Sequence, residues 1–441
     1  MNINYNENEI KKHMHEGGFG LEKESLRVNR QGMIADSSHP FGDNPHMERD
    51  FCESQTELIT RVCDSVEAVW LDLLGLQKQA VEMLEEKQEV LWPFSNPPYV
   101  EEEKISVAQF NGEKKGKEQY REYLAEKYGK RKMLYSGIHF NFSFSGTFLK
   151  AVYRQSGAKD YACFKNQFYL ELAAKSAEYS WLMVYLTAAS PVLDGSFVKA
   201  KERGRDIWSQ DASPRCGSHG YWNKFVPVLD YASLDAYTQS IQKYVDQGRL
   251  KSPAELYYPI RLKPAGENTL ENLCKKGVNH IELRMLDVNP LSVVGIKKED
   301  LDFLHLFLLY LMSLPETHMD EIRQKDVVEN EKSAAMYEDE RIRIQTVSGE
   351  RLPIRSAALQ ILQDMEKFAG KYGNGRYLPT VRYQEKKIIC PKERYAVKIR
   401  KQYGQDYVKK GLQLAEEYGK KIFDAYKITA GNQKKYKSTA I

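Results

Sequence analysis

The chain has 441 residues, 42% of them hydrophobic and 29% charged, with 65 Lys and Arg against 61 Asp and Glu for a formal charge of +4. That apolar share is enough for a sizeable core and excludes wholesale disorder; the length fits two or three domain-sized units, or one large enzyme domain with helical additions. The longest apolar run, 303–314, is interrupted by His305 and is too short to span a bilayer, and the first residues lack the basic start and apolar stretch of a secretory signal, so a cytoplasmic protein with no membrane partner is expected.

In chain order, residues 17–60 predict two strands, GLEKESLRV (20–28) and DFCESQTELIT (50–60), joined by a polar loop with Gly and Pro at 32–45. Residues 65–90 place Val66, Val69, Leu73, Leu76, Ala80 and Leu84 on one helical face. A Pro-rich turn follows at 92–98, then a helix over 120–128 and a strand at SGIHFNFSF (136–144). Long helices are expected over 161–190, a broken Gly-, Ser- and Pro-rich region over 209–220, strands near 256–263 and 279–288, and a buried helix over 302–313. From Val327 the pattern is almost wholly helical, ending in a Lys-rich tip expected to fray. Strands in the first two thirds followed by helices mean an α+β fold: a strand-bearing region over 1–325 and a helical region over 326–441 packed on it.

Residues 382–441 hold 16 Lys and Arg against 6 Asp and Glu, a local +10 that leaves −6 for the rest of the chain. Such a tail can track nucleic acid or steer an anionic substrate. Here the basic residues alternate with Tyr, Leu, Ile and Ala at helical spacing, which favours a solvated helical surface and no nucleic-acid partner. The six cysteines, Cys52, Cys63, Cys163, Cys216, Cys274 and Cys390, form no C-x-x-C pair and are widely scattered, as reduced thiols in a reducing compartment would be.

No P-loop, no G-x-G-x-x-G after a strand and no H-E-x-x-H is present. What stands out is carboxylates on strands. Glu22 and Glu24 are two residues apart and project to one face; Glu53 and Glu57 do the same if their segment is extended, with Asp50 at its start. His139 shares a face with Asn141 and Ser143, opposite Phe140, Phe142 and Phe144. Glu282 and Arg284 share a face opposite Ile281, Leu283 and Met285. Taken singly, each is ordinary: an exposed sheet face, a hydrogen-bonded histidine, an ion pair worth under about 1 kcal/mol. Together, five or six acidic groups gathered on one sheet face need hard divalent cations for balance, and oxygen-rich donors suit Mg²⁺ or Mn²⁺. With a well-placed arginine, that set points to phosphoryl transfer.

These segments, with LWPFSNPP (91–98), QYREYLAEKYG (119–129), HGYWNK (219–224), LYYPIRLKP (256–264) and GVNHIELRMLDVNP (277–290), resemble the bacterial glutamate–cysteine ligases, including the ligase half of bifunctional glutathione-synthesising proteins. The resemblance runs in order from about residue 17 to 315 and is looser beyond. It implies a glutamine-synthetase-like fold, a curved and mostly antiparallel sheet with surrounding helices. The activity it implies is ATP-dependent joining of the γ-carboxyl of L-glutamate to the amine of L-cysteine, the first step of glutathione formation, by a monomer or small homo-oligomer. Carried over, Glu22, His139 and Glu282 surround the metal nearest the γ-phosphate, and Glu24, Asp50 and Glu57 hold a second cluster. Arg284 neutralises the moving phosphoryl group, Arg215 and Arg261 meet phosphate or substrate carboxylate, and Phe51, Tyr120, Leu124, Tyr221 and Tyr257 line the acceptor pocket. Met133 stands where many relatives carry Gln, with Tyr135 two residues on, so a γ-glutamyl ligase for another amine is the alternative. The ATP-grasp domain of the bifunctional relatives has no counterpart within 441 residues, so glutathione synthetase activity is not expected.

Overall fold

The computed structural model describes residues 3–110 and 115–438, with side chains as far as residue 424, so the Lys-rich tip lies outside the residues whose side chains are described. Seven strands form the central sheet: β1 (Gly17–Asn29), β2 (Met47–Arg49), β3 (Gln55–Ile59), β4 (Glu89–Leu91), β5 (Gly137–Phe144), β6 (Ile260–Pro264) and β7 (Val278–Asp287). Their order is β2-β3-β1-β5-β7-β6, with β4 on the end of β1. Every pair is antiparallel. Facing residues share a side of the sheet, and the register sets Glu22 opposite His139, Glu24 opposite Glu57, and both Asn141 and Arg261 opposite Glu282. Period-2 spacing thus becomes one polar surface across β3, β1, β5, β7 and β6. The β5–β7 register slips between Ile138 and Phe140, an irregularity that falls on His139 and re-aims its ring, as bulges beside functional sites do.

The other face is apolar. Phe19, Leu21, Phe140, Phe142, Ile281 and Leu283 are almost fully buried against α3 (Tyr161–Glu178) and α5 (Lys298–Leu311). His305, which breaks the apolar run, lies in this layer: its ring packs on Phe19 and Phe142, and its Nδ1 is 2.8 Å from the Tyr377 hydroxyl. Helix α1 (Val66–Glu85) buries the six residues of its predicted stripe. The predicted helix over 120–128 is α2 (Gly116–Tyr128), and residues 180–187 form α4 (Ser180–Thr187). The C-terminal helices include α6 (Glu321–Ala334), α7 (Ile354–Tyr372), α8 (Tyr377–Ile389), α9 (Tyr395–Tyr403) and α10 (Tyr407–Ser438). Helices α6, α7, α8 and α10 share the core of the sheet, which takes in residues from Ile3 to Ile422, and α9 packs in a second cluster with Leu26, Val28 and Trp92. A division at 325/326 falls inside α6. No helix among the described residues is long and apolar enough to cross a membrane.

Two expectations need correction. Residues 50–60 are not one strand: the chain turns between β2 and β3, with Asp50 N bonded to Gln55 O and Gln55 N to Cys52 O. Glu53 therefore leaves the sheet and its carboxylate accepts from the backbone N–H of His39 and Gln109, so it shares no face with Glu57. The strand near 256 begins only at Ile260, because Asn223 takes up the backbone of Glu255 and Tyr257.

Candidate active site

The polar face of the sheet holds Glu22, Glu24, Glu57, His139, Glu282 and Arg284, without Glu53. His139 is the hub: its Nδ1 lies 3.0 Å from Glu22 Oε2 and 3.8 Å from Glu282 Oε1, and its Nε2 lies 3.5 Å from Glu24 Oε1. Among the described residues, Glu22, His139 and Glu282 are the set of three whose ligand atoms lie within 4.8 Å of one another. Asp50 adds its charge to the burial that raises Glu24, and Glu22, Asp50 and Glu24 do the same at Glu57; Glu24, Asp50 and Glu57 do not close to that distance. Arg284 donates to Glu282 Oε2 at 2.8 Å. Lys263, which sequence reasoning missed, brings its Nζ to 3.1 Å from Glu282 Oε1, out of line for a hydrogen bond. The signal for it was present, since Lys263 follows Arg261 by two residues on β6 and so turns to the same face.

Electrostatics divides the carboxylates into two groups. Burial would push Glu282 up, but Arg284, Lys263 and His139 hold it well below the usual range. Glu22 is pushed up by burial and by Glu282, and His139 and Lys263 outweigh both. Glu24 moves the other way, to about 8, through burial and the charge of Asp50. Glu57 is raised well above the ordinary value by burial and by Glu22, Asp50 and Glu24. Burial and Arg284 lower His139, against the upward pull of Glu22 and Glu282, which favours the imidazole form with a lone pair to offer. Glu24 and Glu57 raised by neighbouring carboxylates, a buried imidazole and a buried Glu282 Oε1 without a hydrogen bond fit a divalent cation with oxygen and nitrogen ligands.

Beside this cluster a pocket is lined by Glu24, Asp50, Tyr135, Arg215, Tyr221, Trp222, Tyr257, Tyr258, Arg284 and Glu331. Arg215 reaches it from the 209–220 loop. The Asp287 carboxylate fastens that loop to β7 through the hydroxyl of Ser213 at 2.8 Å, and accepts also from Ser190 at 2.6 Å. The Arg215 guanidinium donates to Leu286 O and Arg284 O and passes over Gly137, where a Cβ would collide with it. Arg261, by contrast, donates to the carbonyls of Ala254 and Leu256 and lines a neighbouring cavity with Tyr237 and Thr269, outside the Arg284 pocket.

The residues predicted for an acceptor pocket do come together. Phe51, Leu124, Met133 and Tyr257 are buried in one cluster with Tyr120 and Tyr221 against it. The rings of Tyr221 and Tyr257 are 4.3 Å apart. Met133 is 2% exposed, and Tyr135 lines the main pocket with its ring 5.1 Å from Phe197. Glu331, like Trp222 and Tyr258, is a further lining residue that sequence reasoning missed. It stands on a helix outside the sheet, and no strand spacing announces it.

Comparison with known proteins identifies the family and the fold. The family profile described as glutamate-cysteine ligase matches residues 3–251 and 227–334. A glutathione biosynthesis bifunctional protein of Listeria monocytogenes is 36% identical over 426 residues, covering 93% of this chain and 55% of the relative. Its counterpart from Clostridium perfringens is 35% identical over 418 residues, covering 91% and 54%. This chain spans about half the length of the curated relatives it matches. Among solved structures, a bifunctional glutathione synthetase from Pasteurella multocida superposes with a TM-score of 0.82 at 27% identity, covering 95% of this chain and 54% of that one. A glutamate–cysteine ligase from Francisella tularensis, solved in complex with AMP, has the same fold, with a TM-score of 0.83 at 23% identity and coverage of 96% and 94%.

Proposed function

This chain belongs to the glutamate–cysteine ligase family, and from that premise we propose that it joins the γ-carboxyl of L-glutamate to the amine of L-cysteine at the expense of ATP. The observation that carries the reading is the convergence of Glu22, His139, Glu282 and Arg284 on one sheet face beside a pocket walled by tyrosines. A carboxylate is a poor acyl donor because its leaving group would be oxide. Transfer of the γ-phosphoryl group of ATP to a γ-carboxylate oxygen gives an acyl phosphate and ADP. The neutral acceptor amine then attacks the acyl carbon, the C–O bond to phosphate breaks, and the nitrogen loses a proton.

In this reading Glu22, His139 and Glu282 would hold one magnesium or manganese ion, and Glu24, Asp50 and Glu57 would contribute to a second. Such ions, when bound, supply charge neutralisation at the phosphoryl oxygens. Arg284 meets the same charge from the protein side, and Glu282 fixes its guanidinium through their 2.8 Å hydrogen bond. Arg215 meets a carboxylate or phosphate in the pocket, whereas Arg261, tied to backbone carbonyls, shapes the wall. Phe51, Tyr120, Leu124, Met133, Tyr221 and Tyr257 enclose the acceptor side chain. Residues 1–325 carry the catalytic sheet, with 326–441 as a helical region packed on it.

The second reading, a γ-glutamyl ligase for another amine, is favoured by Met133, whose thioether adds no hydrogen-bonding amide to the acceptor cluster. Comparing ADP release with glutamate plus cysteine against glutamate plus a panel of amino acids decides between them. Cysteine is expected to give the highest kcat/KM. A clear preference for a non-thiol amine overturns the cysteine assignment, and no ADP release with any amine overturns the ligase reading.

A further inference from the structure

Helix α6 carries into the pocket a carboxylate to which the chemistry above gives no task. Glu331 is 2% exposed, lines the pocket with Arg215, Trp222 and Tyr258, and has a buried Oε2 without a hydrogen-bond partner. The Ser180 hydroxyl faces it without closing a bond. Its principal charged neighbours are the cations Arg215 and Lys332, not the acidic groups of the metal end. A buried carboxylate left short of partners costs stability, and at a pocket wall a cationic ligand offsets that cost.

We propose that Glu331 and Arg215 together recognise the amino-acid end of the donor substrate, Glu331 receiving the α-ammonium and Arg215 the α-carboxylate. This rests on the ligase reading. The donor's γ-carboxyl must lie beside Arg284, and its α-carbon then lies three carbon–carbon bonds away, within the same pocket. Of the two amines at such a site, the acceptor's has to be neutral to attack and gains nothing from a carboxylate. The donor's α-ammonium is a spectator that stays charged and, out of water, needs a countercharge. The pair also decides which of glutamate's two carboxyls is activated: with the α-carboxylate held by Arg215, only the γ-carboxyl reaches Arg284.

Glutarate, which has the same chain and two carboxylates but no α-ammonium, is the probe. With ATP and acceptor saturating, the full chain is expected to prefer glutamate over glutarate by at least about a hundredfold in kcat/KM, because a site built for a polar group rejects the analogue that lacks it. In Glu331→Gln the KM for glutamate should rise at least about tenfold, with the KM for acceptor and ATP within about twofold. The glutamate-to-glutarate preference should shrink by a similar factor. Glu331→Asp, with the same charge and shorter reach, should retain part of the preference. Calorimetric titration of the same two ligands into each protein reads recognition without turnover. Should no amine support ADP release, the ligase reading fails, and the calorimetry still judges the pair. Equal binding of glutamate and glutarate by the unsubstituted protein, or a preference unchanged in both variants, overturns the proposal.

Discussion

At the scale of single residues, the site is a contest between burial and charge. Glu282 is fully buried and stays ionised because Arg284 and Lys263 surround it. Replacing Glu282 by Gln or Arg284 by Ala is expected to lower turnover at least about a hundredfold. The purified variants should still unfold cooperatively, and steady-state ADP release checks the loss; near-normal turnover removes that residue from the site. Glu331 allows a separate prediction for stability. Burial raises its pKa to about 7, against the opposing pull of Ser180, Arg215 and Lys332. Between about pH 4.5 and 7 the folded chain therefore holds a proton that the unfolded chain has released, and its contribution to stability falls as pH rises through that window. The drop is on the order of 2–3 kcal/mol. The difference between urea midpoints at pH 5 and 7.5 should be smaller in Glu331→Gln by the Glu331 contribution, and a difference equal to that of the unsubstituted chain refutes the assignment.

At the scale of elements, alternation made the sheet legible. Glu22 and Glu24, His139 and Asn141, Glu282 and Arg284 each declare a polar face by their spacing of two, and the phenylalanines of β5 declare the buried one. Sequence spacing could not show the turn between β2 and β3, because Glu53 is drawn out of the ladder by backbone N–H groups at His39 and Gln109, distant in sequence. Nor could it show Glu331, whose helix is placed by packing against α4 and carries no two-residue rhythm. The strands also set tolerances. Gly137 opens β5 directly beneath Arg215, so Gly137→Ala should push the guanidinium aside, costing about 1–3 kcal/mol of stability and raising the KM for the donor at least about tenfold. Gly146, with open space around it, is the control and should change neither quantity.

At the scale of the whole molecule, the helical C-terminal region is not an appendage. Asp300 of α5 is 2% exposed, and Gln384, Lys387 and Tyr395 bond to it from α8 and α9 at 2.9, 3.2 and 2.7 Å. Arg394 pairs with buried Asp339, and the Arg400 guanidinium stacks on Tyr337, so part of the basic excess of residues 382–441 faces inward rather than toward solvent. A fragment of residues 1–325 would break α6 and leave Asp300 without partners, a loss of about 3–5 kcal/mol from that site alone. Such a fragment is expected to aggregate or to unfold without a cooperative transition in urea. A soluble fragment with a sharp transition shows the two regions to be separable.

Strand β1 presents Glu22 and Glu24 to the polar face and Lys23 to the opposite one, where its Nζ meets Gln77 of α1 at 2.6 Å. Inserting a single residue between Gly20 and Glu22 would invert that order, driving two carboxylates into the phenylalanine layer and turning a lysine toward the polar face. A two-residue insertion would restore the parity, so lineages of this protein should vary in length here by even steps or not at all.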